Sequence, residues 1–257
     1  MKTKIYIHIG LHKTGSTFLQ KRLFPALPVN LITGVDIKYI SDSEQFVPEV
    51  FLELIEKRKK SAEFADTVIS QEGFSGSSDG NPARDPFRIA ERLKAVFDDA
   101  KVIIVTRKPD DYIRSLYAFR VTARGLETRT FDEYVNDKKE QLNRKLDTAP
   151  LIEKYRRLFG KNAVLALEYE TLKDSPEKFT AEILDFMNTQ PVREIVYSVE
   201  NKGIKSEKII EFHRKMNTLA VPVITFLKKL KLAAKGHSWP EKLYFTVKKY
   251  FINKFFV

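Results

Sequence analysis

Residues 4–20 constrain this 257-residue chain more than any other stretch. They open on an apolar run holding the β-branched Ile5, Ile7 and Ile9, which favours an extended strand. A tight polar loop with Gly10 and Gly15 follows, and Phe18, Leu19, Leu23 and Phe24 then recur at helical spacing. A strand, a glycine loop and a helix start together present backbone N–H groups and the positive end of a helix to an anion. The phosphate-loop pattern G-x-x-x-x-G-K-[ST], laid on residues 10–17, keeps both glycines and Thr17 but puts Ser16 where the lysine belongs. The lysine stands at position 13 instead. Such a loop still cradles an anion, with its cation approaching from another side.

The rest of the chain alternates strands with helices. Lys101–Thr106 is apolar without alternation, as a parallel strand covered on both faces is, and it runs into Arg107-Lys108-Pro109. Thr67–Ser70 is a shorter strand that delivers Gln71 and Glu72 at its C-terminal end. Further strands are predicted near Val29–Ile32 and Ala163–Tyr169. Helical spacing recurs over about 15–26, 44–65, 89–97, 112–119, 131–158 with a break near Pro150, and 175–188. Residues 73–84 read as one long flexible loop. This order predicts a P-loop-like three-layer α/β fold, a central parallel sheet flanked by helices, over residues 1–221. Residues 222–257 are predicted to add basic amphipathic helices packed on the same domain.

Composition narrows the chemistry. A hydrophobic content of 43% and a charged content of 31% describe a globular chain. With no cysteine, disulfides, thiolate metal sites and thiol nucleophiles are excluded. The first residues lead straight into a strand without a signal-like apolar region, and no stretch of 18 apolar residues occurs; a cytoplasmic protein is expected. The net charge is +11, and residues 205–257 hold 12 Lys or Arg against 3 Glu, so most of the surplus lies in the tail. Such a tail attracts an anionic glycan or places the protein peripherally at a membrane surface. Nucleic acid is not expected, because the aromatics stand at core spacing and no recognition module is visible.

In an open parallel sheet, ligands bind outside the carboxyl ends of the strands. Three predicted strand ends carry chemistry: His12-Lys13-Thr14, Gln71-Glu72 and Arg107-Lys108. Together they supply several cations and one carboxylate, a balance suited to a polyanionic ligand and one acid–base residue. A Mg²⁺-dependent kinase needs a metal-holding Asp near the end of a buried strand and the loop lysine at position 16. Arg107 and Ser16 stand in their places, which points to a transferred group that needs no metal.

The run Gly10-Leu11-His12-Lys13-Thr14-Gly15-Ser16-Thr17-Phe18-Leu19-Gln20 resembles the 5′-phosphosulfate loop of sulfotransferases that use 3′-phosphoadenosine 5′-phosphosulfate (PAPS). Val102 to Pro109, followed by Ile113-Arg114-Ser115, resembles their 3′-phosphate segment. Val164–Leu172 with Ser175-Pro176 is similar to a late strand–helix unit of bacterial members, and Asn201-Lys202-Gly203 resembles a loop that closes over the nucleotide. The resemblance covers roughly residues 3–205. It implies that Lys13 stabilises the sulfuryl and bridging oxygens, and that Thr14, Gly15, Ser16 and Thr17 hold the 5′-phosphate. Arg107 and Ser115 would bind the 3′-phosphate, with Lys202 and Gly203 closing the site. Glu72 would be the general base, with His12 as its rival. The product would be adenosine 3′,5′-bisphosphate (PAP), no metal would be required, and the acceptor would be a hydroxyl of a carbohydrate, glycan or lipid-linked glycan. The alternatives are a Mg²⁺-dependent nucleotide or sugar kinase and a non-catalytic nucleotide- or glycan-binding protein. His8, alternating with Ile7 and Ile9, reads as a satisfied core histidine.

Overall fold

Five strands pair in parallel in the order β2–β3–β1–β4–β5. They are β1 Ile5–Gly10, β2 Asn30–Thr33, β3 Thr67–Ser70, β4 Lys101–Thr106 and β5 Val164–Glu168. The helices are α1 Ser16–Phe18, α2 Ile37–Ser41, α3 Pro48–Glu56, α4 Pro86–Val96, α5 Pro109–Phe119, α6 Phe131–Leu146, α7 Ala149–Phe159, α8 Tyr169–Asp174, α9 Pro176–Met187 and α10 Glu207–Lys229. The structure, a computed structural model, describes residues 3–35, 37–59, 64, 66–78, 84–124, 126–197, 206–229 and 244.

The period of two along each strand sends alternate side chains to opposite faces of the sheet. Ile7, Ile9, Ile69, Val102 and Ile104 bury one face against Ile40, Phe51, Ile55, Ile89, Leu93, Leu151 and Tyr155. Tyr6, Val68, Ile103, Val105 and Leu167 bury the other against Phe18, Leu19, Leu23, Phe24, Phe179, Ile183 and Met187. Each such side chain contributes roughly 1.5–3 kcal/mol of hydrophobic stabilisation. Covered on both faces, the parallel sheet is the middle of three layers, as predicted.

Local differences from the sequence reading have physical causes. Within the helical pattern over 44–65, of which 60–63 and 65 lie outside the described residues, the helix is the nine residues of α3, begun by Pro48 at a first-turn position where its missing N–H costs nothing. The segment expected to be loop from 73 begins instead as a 3₁₀ turn, Glu72–Ser75, which buries Phe74 completely. Helix α1 continues as a π-helical turn, Leu19–Leu23, and ends in a 3₁₀ turn, Phe24–Ala26, where Pro25 stops it.

The chain divides into two compact units, residues 1–112 with 138–201 and residues 113–137 with 202–257. The first contains the sheet. In the second, fully buried Asn217 of α10 donates to the carbonyls of Val121 and Glu127 at 3.0 and 2.7 Å and accepts from the Tyr244 hydroxyl at 2.7 Å. Helix α10 contains Pro222, so the 221/222 boundary falls within a helix; the amphipathic pattern expected beyond it at 230–243 and 245–257 lies outside the described residues. Among the described residues no helix is long and apolar enough to cross a membrane.

His8 is fully buried, and its Nδ1 lies 2.7 Å from Ser70 Oγ, which also accepts from Gln20 Nε2 at 2.9 Å. Its Nε2 is buried without a hydrogen-bond partner among the described residues, so this core histidine is satisfied on one nitrogen only. Burial lowers its pKa from 6.5 to about 3, because the imidazolium would lose its hydration. The folded chain therefore keeps His8 neutral where the unfolded chain takes up a proton, and stability falls as pH drops from about 6.5 toward 3. The urea midpoint should decrease on acidification from about pH 7 to 4.5, with this one group contributing a slope approaching about 1.4 kcal/mol per pH unit. A His8→Gln variant should show a shallower decrease, and an unchanged slope would contradict the assignment.

Candidate active site

Because β1 pairs with β3 on one side and β4 on the other, the segments leaving these three strands emerge side by side. Pairing persists past the strand ends: Leu11 N donates to Val105 O at 3.1 Å and Gln71 N to His8 O at 3.2 Å. The loop after β1 carries His12 and Lys13, the turn after β3 carries Glu72, and the segment after β4 carries Arg107.

The glycine loop is shaped by two left-handed residues, Lys13 at φ 69° and Gly15 at φ 79°. Glycine is required at 15 for two reasons. An L side chain is strained at that φ, and a Cβ there would lie 2.5 Å from Leu172 Cδ2 of α8. Gly10 is required by close approach, since a Cβ would lie 2.8 Å from Thr14 Oγ1 and 3.0 Å from Ser16 Oγ. Thr14, fully buried, donates its hydroxyl to Leu11 O and closes the loop. The ladder of α1 starts with Phe18 N and Leu19 N, both onto Gly15 O at 2.9 and 3.2 Å. The amides just before them belong to a helix start, whose first N–H groups have no intrahelical acceptor. Ser16 Oγ is buried with no partner among the described residues, a donor beneath the same loop.

Lys13 is a non-glycine residue in the left-handed region, a conformation that persists only where its surroundings enforce it. Arg107 supplies part of that enforcement, donating from Nη1 to Lys13 O at 2.7 Å. The Arg107 guanidinium lies 4.7 Å from the Tyr169 ring centroid, a cation–π contact, and its Nε is buried without a partner among the described residues. Burial lowers the pKa of half-buried Lys13, the Glu72 carboxylate opposes that shift, and the Arg107 charge reinforces it. Lys13 is thus within electrostatic reach of both Glu72 and Arg107 at the carboxyl end of the sheet.

Glu72 opens its 3₁₀ turn, which Gln71 caps by accepting from Gly73 N at 3.3 Å while donating to Val35 O at 2.8 Å. Ser75 Oγ reaches Gly10 O at 3.0 Å and Glu72 O at 2.8 Å, tying the turn to the root of the glycine loop. Lys145 of α6, 8% exposed, donates to Ser75 O and, at 3.0 Å, to Ser75 Oγ. His12 and Thr17 are half-buried in the loop and its helix start. Ser115 lies half-buried on α5 in the second unit, and Lys202 and Gly203 lie outside the described residues.

A sequence profile described as the sulfotransferase family matches residues 44–193, more than half of the chain. The chain belongs to the sulfotransferase family. The matched span includes Glu72, Arg107 and Ser115 and begins beyond the Gly10–Thr17 loop. Among solved structures, the sulfotransferase of Alicyclobacillus acidocaldarius is 15% identical and superposes with a TM-score of 0.59 over 90% of this chain and 95% of that one, a shared fold. Mouse sulfotransferase SULT7A1, solved in complex with PAP, is 16% identical with a TM-score of 0.45 over 74% of this chain and 60% of its own. No curated protein matches the chain.

In this sulfotransferase, Ser75, Lys145, Tyr169 and Glu170 support the candidate site without having been singled out from the sequence as site residues. Lys145 stands within the ordinary charge pattern of α6, and nothing local distinguishes it. Tyr169 and Glu170 follow directly on the predicted late strand, and their position at a strand end was the available signal. A Gly15→Ala substitution should cost roughly 2–4 kcal/mol, the sum of left-handed strain and overpacking against Leu172. Urea unfolding measures that loss; a cost below about 0.5 kcal/mol would show that the loop tolerates a Cβ.

Proposed function

We propose that this sulfotransferase moves a sulfuryl group from PAPS to a hydroxyl of a carbohydrate or glycan by in-line displacement. The observation that carries the reading is the gathering of Lys13, Glu72 and Arg107 at the ends of adjoining strands, with Lys13 influenced electrostatically by both partners. The donor fits the groups present: a helix-start loop with two left-handed residues, and a buried Ser16 hydroxyl and Arg107 Nε–H that have no hydrogen-bond partner among the described residues.

PAPS supplies an activated sulfuryl group on a phosphate leaving group. The amides of residues 14–17, with the Ser16 and Thr17 hydroxyls, hold its 5′-phosphate, and Arg107 holds its 3′-phosphate. Glu72 accepts the proton of the acceptor hydroxyl as the new O–S bond forms and the S–O bond to the 5′-phosphate breaks. Lys13 neutralises the charge that develops on the bridging oxygen and on the departing phosphate. An arriving anion favours the charged form of Lys13, offsetting the desolvation that lowers its pKa. The acceptor class is supported by the strand-end Glu72 and by the cationic tail, which would draw an anionic glycan or hold the protein at an anionic membrane surface.

Titration calorimetry tests the donor. PAP should bind at least about tenfold more tightly than ADP, equally well with Mg²⁺ or a chelator. Equal binding of ADP, or a requirement for Mg²⁺, would sink the reading in favour of a kinase. Release of PAP from PAPS in the presence of oligosaccharide acceptors tests the chemistry. Lys13→Ala should lower turnover by about 100-fold or more. Glu72→Gln should remove transfer while leaving PAP affinity within about threefold, because it leaves the nucleotide contacts in place. Full activity in Glu72→Gln would move the base to His12.

A further inference from the structure

The geometry points to Glu170 as the positioning residue for Arg107, and so as a determinant of 3′-phosphate recognition; the inference rests on the assignment of Arg107 to that phosphate. Strand β5 pairs with β4 in register Thr106↔Glu168, so the segment after β4 and the first turn of α8 emerge together. Glu170 is 9% exposed, and its Oε1 accepts from the Lys108 backbone N–H at 3.1 Å. Its Oε2 is buried with no hydrogen-bond partner among the described residues. A carboxylate in so dry a place is costly, and the hydrogen bond it makes falls on the residue next to Arg107.

The Arg107–Lys108 segment is therefore gripped from three directions. The Tyr169 ring lies 4.7 Å from the guanidinium carbon, Lys13 O accepts from Nη1 at 2.7 Å, and Glu170 fixes the following amide. The ring and the carbonyl both act on the guanidinium head. Glu170 instead fixes the backbone from which that head projects, just where the chain turns from β4 into α5. Without the carboxylate the Lys108 amide loses its acceptor, the peptide between 107 and 108 is free to rotate, and the guanidinium loses its aim. The Gly10–Thr17 loop has its own closure through Thr14 and Leu11 and shares with Arg107 the contact at Lys13 O. Loss of Glu170 thus weakens recognition of the 3′-phosphate more than that of the 5′-phosphate. A residue that merely capped α8 would weaken both, through stability.

Calorimetry with PAP and AMP, which differ by the 3′-phosphate alone, separates these outcomes. Glu170→Ala should weaken PAP by about tenfold or more and AMP by no more than about twofold, as expected for one lost acceptor at a partly buried amide. Glu170→Asp, one methylene too short to reach Lys108 N, should behave alike and serves if the alanine variant does not fold. Glu170→Gln keeps an oxygen for the amide and should return PAP affinity to within about threefold of the parent. Parallel loss of PAP and AMP affinity, an unchanged ratio in the Ala and Asp variants, or a Gln variant as weak as Ala would each overturn the inference. Arg107→Ala is the control: if it keeps the PAP preference, or if the parent chain shows none, the assignment of Arg107 itself fails. A preference lost in Arg107→Ala but kept in Glu170→Ala overturns only the role of Glu170.

Discussion

The placement of β1 between β3 and β4 is the constraint on which the candidate site depends. Parallel pairing brings the carboxyl ends of all three strands to one edge, and the chain leaves that edge with Lys13, Glu72 and Arg107 in neighbouring segments. No single segment holds this combination of charges. A shift of β1 by one residue would turn Ile7 and Ile9 out of their layer, so the two apolar clusters that lock the register also fix the geometry of the site.

Within that frame, the two cations are used in different ways. Arg107 is held by a carbonyl, a ring and, through the next residue, a carboxylate, so its direction is set before any ligand arrives. Lys13 occupies a left-handed conformation and is partly desolvated, conditions that make the arrival of an anion favourable. Preorganised charge of this kind lowers the reorganisation needed when negative charge develops on a leaving group. The turn that carries Glu72 is fastened to Gly10 through the Ser75 hydroxyl, so the carboxylate and the glycine loop share one anchor.

Membership of the sulfotransferase family and the fold shared with the Alicyclobacillus acidocaldarius enzyme agree with the departures from the kinase loop. A lysine at 13 rather than 16, and an arginine where a metal-holding carboxylate would stand, are readable as chemistry only when both are placed on adjoining strands.

The strand, glycine loop and helix start over residues 4–20 were determined by sequence alone, because β-branched runs, glycine spacing and helical periodicity act over a few residues. The parallel sheet and its buried strands were legible for the same reason, as were both glycines, Lys13 and Arg107. Tertiary structure decided what depends on distant partners. Strand order and register arise from pairing across the chain, and burial of Phe74 in the Glu72 turn reflects the core beneath it. The partner that His8 finds is Ser70, 62 residues away, and its other nitrogen has none among the described residues. The supports of the site were hidden likewise: Lys145 meets Ser75 across 70 residues, and Glu170 meets the Lys108 amide across 62. Local sequence carries the preferences of the backbone; the acceptor of a buried amide and the anchor of the Glu72 turn exist only once the chain has closed on itself.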